Sequence, residues 1–115
     1  VITDIEGSTA LWDMLEQQVM DRVLALHHTA VREVCGRCAG YESGTEGDAF
    51  VLAFHNARDA VLFGTEVQEA LMRCNWPEEL LAVEVCKPLY VTPLSQRQLS
   101  QQAADAAKPG QQATG

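Results

Sequence analysis

Lysine is nearly missing from this chain. Its 115 residues include only Lys87 and Lys108. Lys and Arg together number 8 against 16 Asp and Glu, which gives a net charge of −8 and a pI near 4.7. A surface built for nucleic acid or anionic lipid needs clustered cations, so both are excluded as partners. A phosphate-bearing ligand would have to be met by metal ions, backbone amides or Arg. Long apolar runs are lacking too. None reaches the roughly 18 residues of a membrane span, and no secretory signal is visible. The four Cys (Cys35, Cys38, Cys74 and Cys86) are too few for a disulfide scaffold. They read as reduced thiols in a cytoplasmic setting. An initiator Met is absent. The chain opens on Val1, inside a strand-like run, and is expected to continue a longer protein. Its length allows one small domain.

What is present alternates between strand and helix. Val1 to Ile5 reads as a short strand. Gly7 allows a tight turn, and Ser8 or Thr9 is a good helix N-cap. No Gly or Pro interrupts Ala10 to Arg32. Trp12, Leu15, Val19, Val23, Leu26, Ala30 and Val34 recur every three or four residues, the stripe of an amphipathic helix. Gln17-Gln18 marks a break into two helices, and Gly36 and Gly40 bracket the end. Tyr41 to Glu46 and Ala49 to Phe54 read as strands. The second has apolar residues on both faces, which predicts a central strand covered on both sides. Gly47-Asp48 between them suits a type II′ hairpin turn. Asn56 with Asp59 resembles a capping box. Ala60, Gly64, Val67, Leu71 and Cys74 then form the seam of a further helix, which Pro77 ends.

Two carboxylates in short glycine-bearing turns carry the chemistry. Asp4 lies in Thr3-Asp4-Ile5-Glu6-Gly7-Ser8-Thr9, between a strand and a helix. Asp48 lies at the hairpin tip in Thr45-Glu46-Gly47-Asp48-Ala49-Phe50. Two Asp brought together this way can hold divalent cations against a phosphate chain. A strand-to-helix turn adds free amides and the positive end of a helix dipole. The remaining polar features read as structural. His27-His28 is expected to be a helix-surface pair. Cys35-Gly36-Arg37-Cys38 has metal or redox spacing but no second pair, so it reads as two helix-end thiols. Trp12 and Trp76 read as packing anchors, and Glu42 and Glu46 as solvated.

These residues resemble the first half of a class III nucleotide cyclase catalytic domain, the adenylate and guanylate cyclase family. The resemblance covers residues 1–81. It rests on the Asp4 motif with Leu11-Trp12, on His27-His28, on Gly40-Tyr41-Glu42 leading to the Asp48 motif, and on Trp76-Pro77-Glu78-Glu79-Leu80-Leu81. It implies an α+β, ferredoxin-like fold, here incomplete, with a βααββα core. It implies synthesis of a 3′,5′-cyclic nucleotide and pyrophosphate from ATP or GTP, in intracellular signalling. Two Mg²⁺ or Mn²⁺ ions would be held by Asp4, Asp48 and the Ile5 carbonyl. Glu6, Gly7, Ser8 and Thr9 would contact phosphate. The site forms between two subunits, so a second cyclase subunit, identical or not, is the implied partner. The location would be cytoplasmic, or the intracellular part of a membrane-bound parent.

The departures are as specific. Gly44 stands where the family carries a base-reading Lys or Glu, so no base-reading residue is assigned. The family's second purine reader, and its Asn and Arg for ribose and transition state, have no counterpart after Leu81. The isolated chain is therefore expected to be inactive. A catalytically dead cyclase-like dimerisation or regulatory module is the alternative, and so is a truncated gene product. Residues 82–94 read as an extension with a strand weakened by Pro88 and Pro93. The Gln/Ala-rich segment 95–115 is expected to be disordered, because it has too little apolar surface to offset the entropy of ordering.

Overall fold

The computed structural model describes residues 1–107. A three-stranded antiparallel sheet is formed by β1 (Ile2–Thr3), β2 (Tyr41–Glu46) and β3 (Ala49–Ala53), in the order β1-β3-β2. Helices α1 (Ser8–Met14) and α2 (Gln17–Arg37) join β1 to β2. Helices α3 (Ala57–Arg73) and α4 (Glu78–Leu81) follow β3. The α+β class and the βααββα order are those expected.

Alternation places β3. Phe50 and Leu52 point to one face and are buried there, while Val51 and Ala53 point to the other and are exposed. Phe50 and Leu52 pack with Val31, Val34, Cys35 and Cys38 from the α2 end and with Phe63 and Val67 from α3. β3 is therefore central, but among the described residues only one face is covered, not two. The reason is that both long helices lie on the same side. A second cluster joins Leu11, Met20, Val23 and Leu80, with Trp76 against it. The Trp76 indole N–H donates to the Leu71 carbonyl at 2.8 Å, so this anchor is real.

Trp12 is not an anchor. It is exposed, and Leu11 takes the inward position. The helix breaks earlier than the Gln pair predicts, at Leu15 and Glu16, both extended. The seven-residue α1 therefore does not share one continuous stripe with α2. Gly7, at φ 69°, sits at the N-cap where Ser8 or Thr9 was expected. The turn needs a left-handed residue, and glycine adopts one without Cβ strain. Gly47, at φ 62°, opens the hairpin, while Asp48 has negative φ, as a type II′ turn requires. Asn56 caps α3, its side chain accepting from the Asp59 amide at 2.9 Å.

Two segments after Leu81 differ from expectation. No strand forms over 82–91. A single 3-10 turn at Glu84–Cys86 replaces it, beside prolines that cannot donate to a ladder. A helix, α5 (Gln96–Ala106), forms where disorder was expected. Ser95 and Gln98 make a full capping box, and Ala and Gln are strong helix formers. None of its residues is buried, so helix propensity acts here without a core. The rest of the expected disorder, 108–115, lies outside the described residues.

Three outcomes follow from this packing. A Cβ on Gly40 would stand 2.5 Å from Phe54 Cε1 and 2.7 Å from the buried Cys35 Sγ. Gly40→Ala should cost about 1–3 kcal/mol in urea unfolding. Gly36, inside α2 with open space around it, gives the opposite sign: Gly36→Ala should stabilise by about 0.5–1 kcal/mol. His27 is the buried polar side chain of the core. Burial, then the neighbouring His28, push its pKa below the ordinary 6.5, and Asp48 opposes them. The unfolded chain thus binds more protons, so stability should fall as pH drops below 6.5 and level off below the folded value. Unfolding midpoints between pH 8 and 5 test this. A flat profile, or one unchanged by His27→Phe, would be inconsistent with it.

Candidate metal and phosphate site

The β1–β3 ladder sets the two carboxylates at the same end of the sheet. Thr3 pairs with Phe50 and Ile2 with Val51. Continuing that register sets Asp4 opposite Ala49, next to Asp48. The Phe50 amide donates to Thr3 Oγ1 at 3.3 Å, which pins the strand end where Asp4 emerges. Asp4 is exposed and Asp48 half-buried. One oxygen of Asp48, Oδ2, is buried with no hydrogen-bond partner. A buried carboxylate oxygen without a donor is uncommon in a native fold and calls for a cation or a donor.

The strand-to-helix turn lies alongside. The Ile5 carbonyl accepts the Ser8 amide at 3.3 Å and keeps a second lone pair. The Gly7 carbonyl accepts the Leu11 amide at 3.2 Å. Glu6, Gly7 and Thr9 are exposed and Ser8 half-buried. The expected residues thus share one sheet end. Among the described residues no group of three or more His, Cys, Asp or Glu side chains could hold a metal. A two-ion site on this chain would rest on two carboxylates and backbone oxygen.

Beneath the hairpin lies a set of residues that the sequence reading placed on the surface. His27 is only 5% exposed. It lies four residues from both Val23 and Val31, on the buried stripe of α2, and that spacing was the missed signal. His27 Nδ1 and His28 Nδ1 are 3.3 Å apart. The His28 ring meets the Phe50 ring edge-on at 4.9 Å, and the His27 ring lies 6.0 Å from it. The Arg32 guanidinium stands over Phe50 at 5.3 Å and pairs with both oxygens of Glu42 at 2.9 and 3.1 Å. This pairing holds the Glu42 carboxyl below its usual range. Glu42 is therefore half-buried and engaged rather than simply solvated.

The other sequence candidates fall elsewhere. Cys35 and Cys38 are buried, and burial pushes both thiols up. Cys38 Sγ lies 3.6 Å from Glu66 Oε2, so the pair is structural. Gly44 sits beyond a bulge at Ser43, and a Cβ there would meet nothing within 4 Å. A cleft of about 470 Å³ runs along α2 past Arg22, Glu33 and Cys74. Another, of about 360 Å³, separates α1 from Val83 and Val85. Neither is lined by Asp4 or Asp48.

No protein-family model matches the chain. Among curated proteins it is 38% identical over 90 residues to an adenylate cyclase of Neurospora crassa, covering 78% of this chain and 4% of that protein. It is 40% identical over 81 residues to receptor-type adenylate cyclase B of Leishmania donovani, covering 70% of this chain and 6% of that one. The chain thus spans only a small part of these relatives. A solved structure of Trypanosoma brucei adenylate cyclases in their monomeric state superposes with a TM-score of 0.66 at 32% identity, over 92% of this chain and 40% of that one. The antiparallel sheet, the helices on one face and these likenesses place the chain in the class III nucleotide cyclase family, as part of its catalytic domain.

Proposed function

We propose that this chain carries the metal-holding half of a nucleotide cyclase site. In this reading Asp4, Asp48 and the Ile5 carbonyl hold two Mg²⁺ or Mn²⁺ ions. The observation that carries it is the buried, unpartnered Asp48 Oδ2 at the sheet end where Asp4 follows β1. An oxygen desolvated without a donor suits a cation. Oxygen ligands of this kind favour hard ions such as Mg²⁺. When bound, the ions supply charge neutralisation of the triphosphate and activation of the ribose hydroxyl. The chain's own part is to orient the substrate. Gly7, without a Cβ, lets phosphate approach the turn. The Thr9 hydroxyl and the first free amides of α1 can donate to phosphate oxygens, with Glu6 and Ser8 flanking them. ATP or GTP would be cyclised with loss of pyrophosphate. The remaining purine, ribose and transition-state contacts would come from a second cyclase subunit or from further sequence.

A second reading has its own support. Gly44 offers no side chain toward a base, and the space around it is empty. A cyclase-like regulatory module that pairs with an active cyclase fits that position equally well. Such a module would bind its partner without measurable nucleotide affinity.

The experiment is Mn²⁺–nucleotide titration of the purified chain with fluorescent ATP and GTP analogues. Asp4→Asn and Asp48→Asn should each weaken binding by roughly tenfold or more, about 1.4 kcal/mol. Equal affinity in Asp48→Asn would overturn the site. The chain alone, given Mn²⁺ and ATP or GTP, should form no cyclic nucleotide, and turnover would overturn the half-site reading.

A further inference from the structure

We propose that two copies of this chain exchange segment 89–92, each laying it as a fourth strand along the free edge of the other's β1. Two sets of unmet backbone groups lead there. The first is the edge itself. β1 pairs with β3 alone and is an outer strand of the sheet. The Val1 ammonium donates to the Leu52 carbonyl and the Leu52 amide to the Val1 carbonyl, both at 2.8 Å. In an antiparallel ladder the next residue turns its amide and carbonyl the other way, so Ile2 presents both at the free edge. Such an edge is a template for another strand. The second set lies between the 3-10 turn and α5. Residues 88–94 belong to no helix or strand and make no backbone hydrogen bond within the chain. Leu89, Tyr90 and Val91 are 86%, 92% and 80% exposed.

The segment has the character of a strand without a partner. Its residues, Leu89, Tyr90, Val91 and Thr92, suit extended backbone, and Lys87 before them is already extended at φ −72° and ψ 151°. Pro88 and Pro93 cannot donate to a ladder, so they bound the strand on both sides. Val91 set opposite Ile2 shares both of its outward bonds. With Leu89 it then extends the open face, where Ile2 and Val51 lie paired and exposed. The segment stands off the sheet of its own chain, which leaves both sets unmet at once. Exchange between two copies meets both in one symmetric contact. Charge agrees with this. Residues 87–104 carry Lys87 and Arg97 and no acid, in a chain of net charge −8. The β1 end they would reach continues into Asp4 and Glu6, both exposed. Lys87 meets Glu84 at 2.8 Å in a solvent-exposed pair, which holds it only weakly. The free edge of β1 lies across the sheet from β2, so the Asp48 hairpin stays open and the inference does not rest on the metal reading.

The test is sedimentation velocity on the full 115-residue chain from low to high micromolar, with amide hydrogen exchange read at both ends of that range. The parent should pass from monomer to dimer, and the amides of Ile2, Leu89 and Val91 should become protected as it does. Val91→Pro removes one donor from each of two symmetric ladders and should weaken the dimer about tenfold or more. The segment is wholly exposed in the single chain, so circular dichroism of this variant should match the parent. A parent that stays monomeric throughout overturns the proposal, and so does a Val91→Pro dimer as tight as the parent's. A dimer in which segment 89–92 exchanges freely assigns the contact to the open sheet face instead. Protection of that segment in the monomer assigns it to the β1 edge of its own chain. Either result overturns the exchange.

Discussion

Strand β3 is bonded on both sides, and the rest of the molecule is placed by it. Its residues pair with β1 through Phe50 and Val51 and with β2 along its whole length. Phe50 is 0% exposed and stands at the crossing of those two ladders. Its ring is held by His27, His28 and Arg32 from α2. Its amide is held by Thr3. Asp4 follows Thr3 and Asp48 precedes Phe50 by two residues. The ladder and the packed ring therefore fix the strand ends from which the loop carrying Asp4 and the turn carrying Asp48 depart. A site built on paired strands is more rigid than one built on loops.

The same constraint explains the lopsided covering of the sheet. α2 and α3 pack on each other and on the face shown by Phe50 and Leu52. Ile2, Val51 and Tyr41 remain exposed, so apolar surface is left on the sheet and its edges. The chain spans 40% of the trypanosomal structure it resembles. The helical side carries the core, and the carboxylates lie at the sheet end.

Features set by two or three adjacent residues were legible in the sequence. Gly47-Asp48 needs only a positive φ at its first position, and Asn56 with Asp59 needs only one turn of helix. The strand order around β3 followed from its apolar density. Features that depend on where a helix stops were not legible. Once α1 ends at Leu15, the phase of the stripe resets, so Leu11 is buried and Trp12 is not. His27 was read as surface because it is polar, although its spacing from Val23 and Val31 is that of the buried stripe. The covering of β3 on one face could not be read either, since an apolar strand has the same composition whether one or both faces find partners. Helix α5 escaped notice because composition reports on burial, whereas a capping box and Ala/Gln propensity act locally. At the site, the unmet hydrogen bond of Asp48 could come only from the packing.

Charge decides what this surface can do. Asp4 and Asp48 are both acidic, in a chain of net charge −8. Arg32, the guanidinium nearest to hand over Phe50, is committed to Glu42 in a two-point pair. Lys87, the lysine among the described residues, belongs neither to the strands nor to the turns beside them. A triphosphate approaching this sheet end would meet like charge and no free side-chain cation from the strand or helix residues that form it. On the proposed reading the positive charge must therefore be brought in, by divalent ions between the carboxylates and the phosphates and by cationic groups of a second subunit. On that reading the same deficit would call for a partner for a different reason than packing does. The exposed sheet face calls for cover, but the carboxylate pair calls for counter-charge. A subunit that supplied only the first would give a dimer without chemistry, which is the distinction between the regulatory and the catalytic readings.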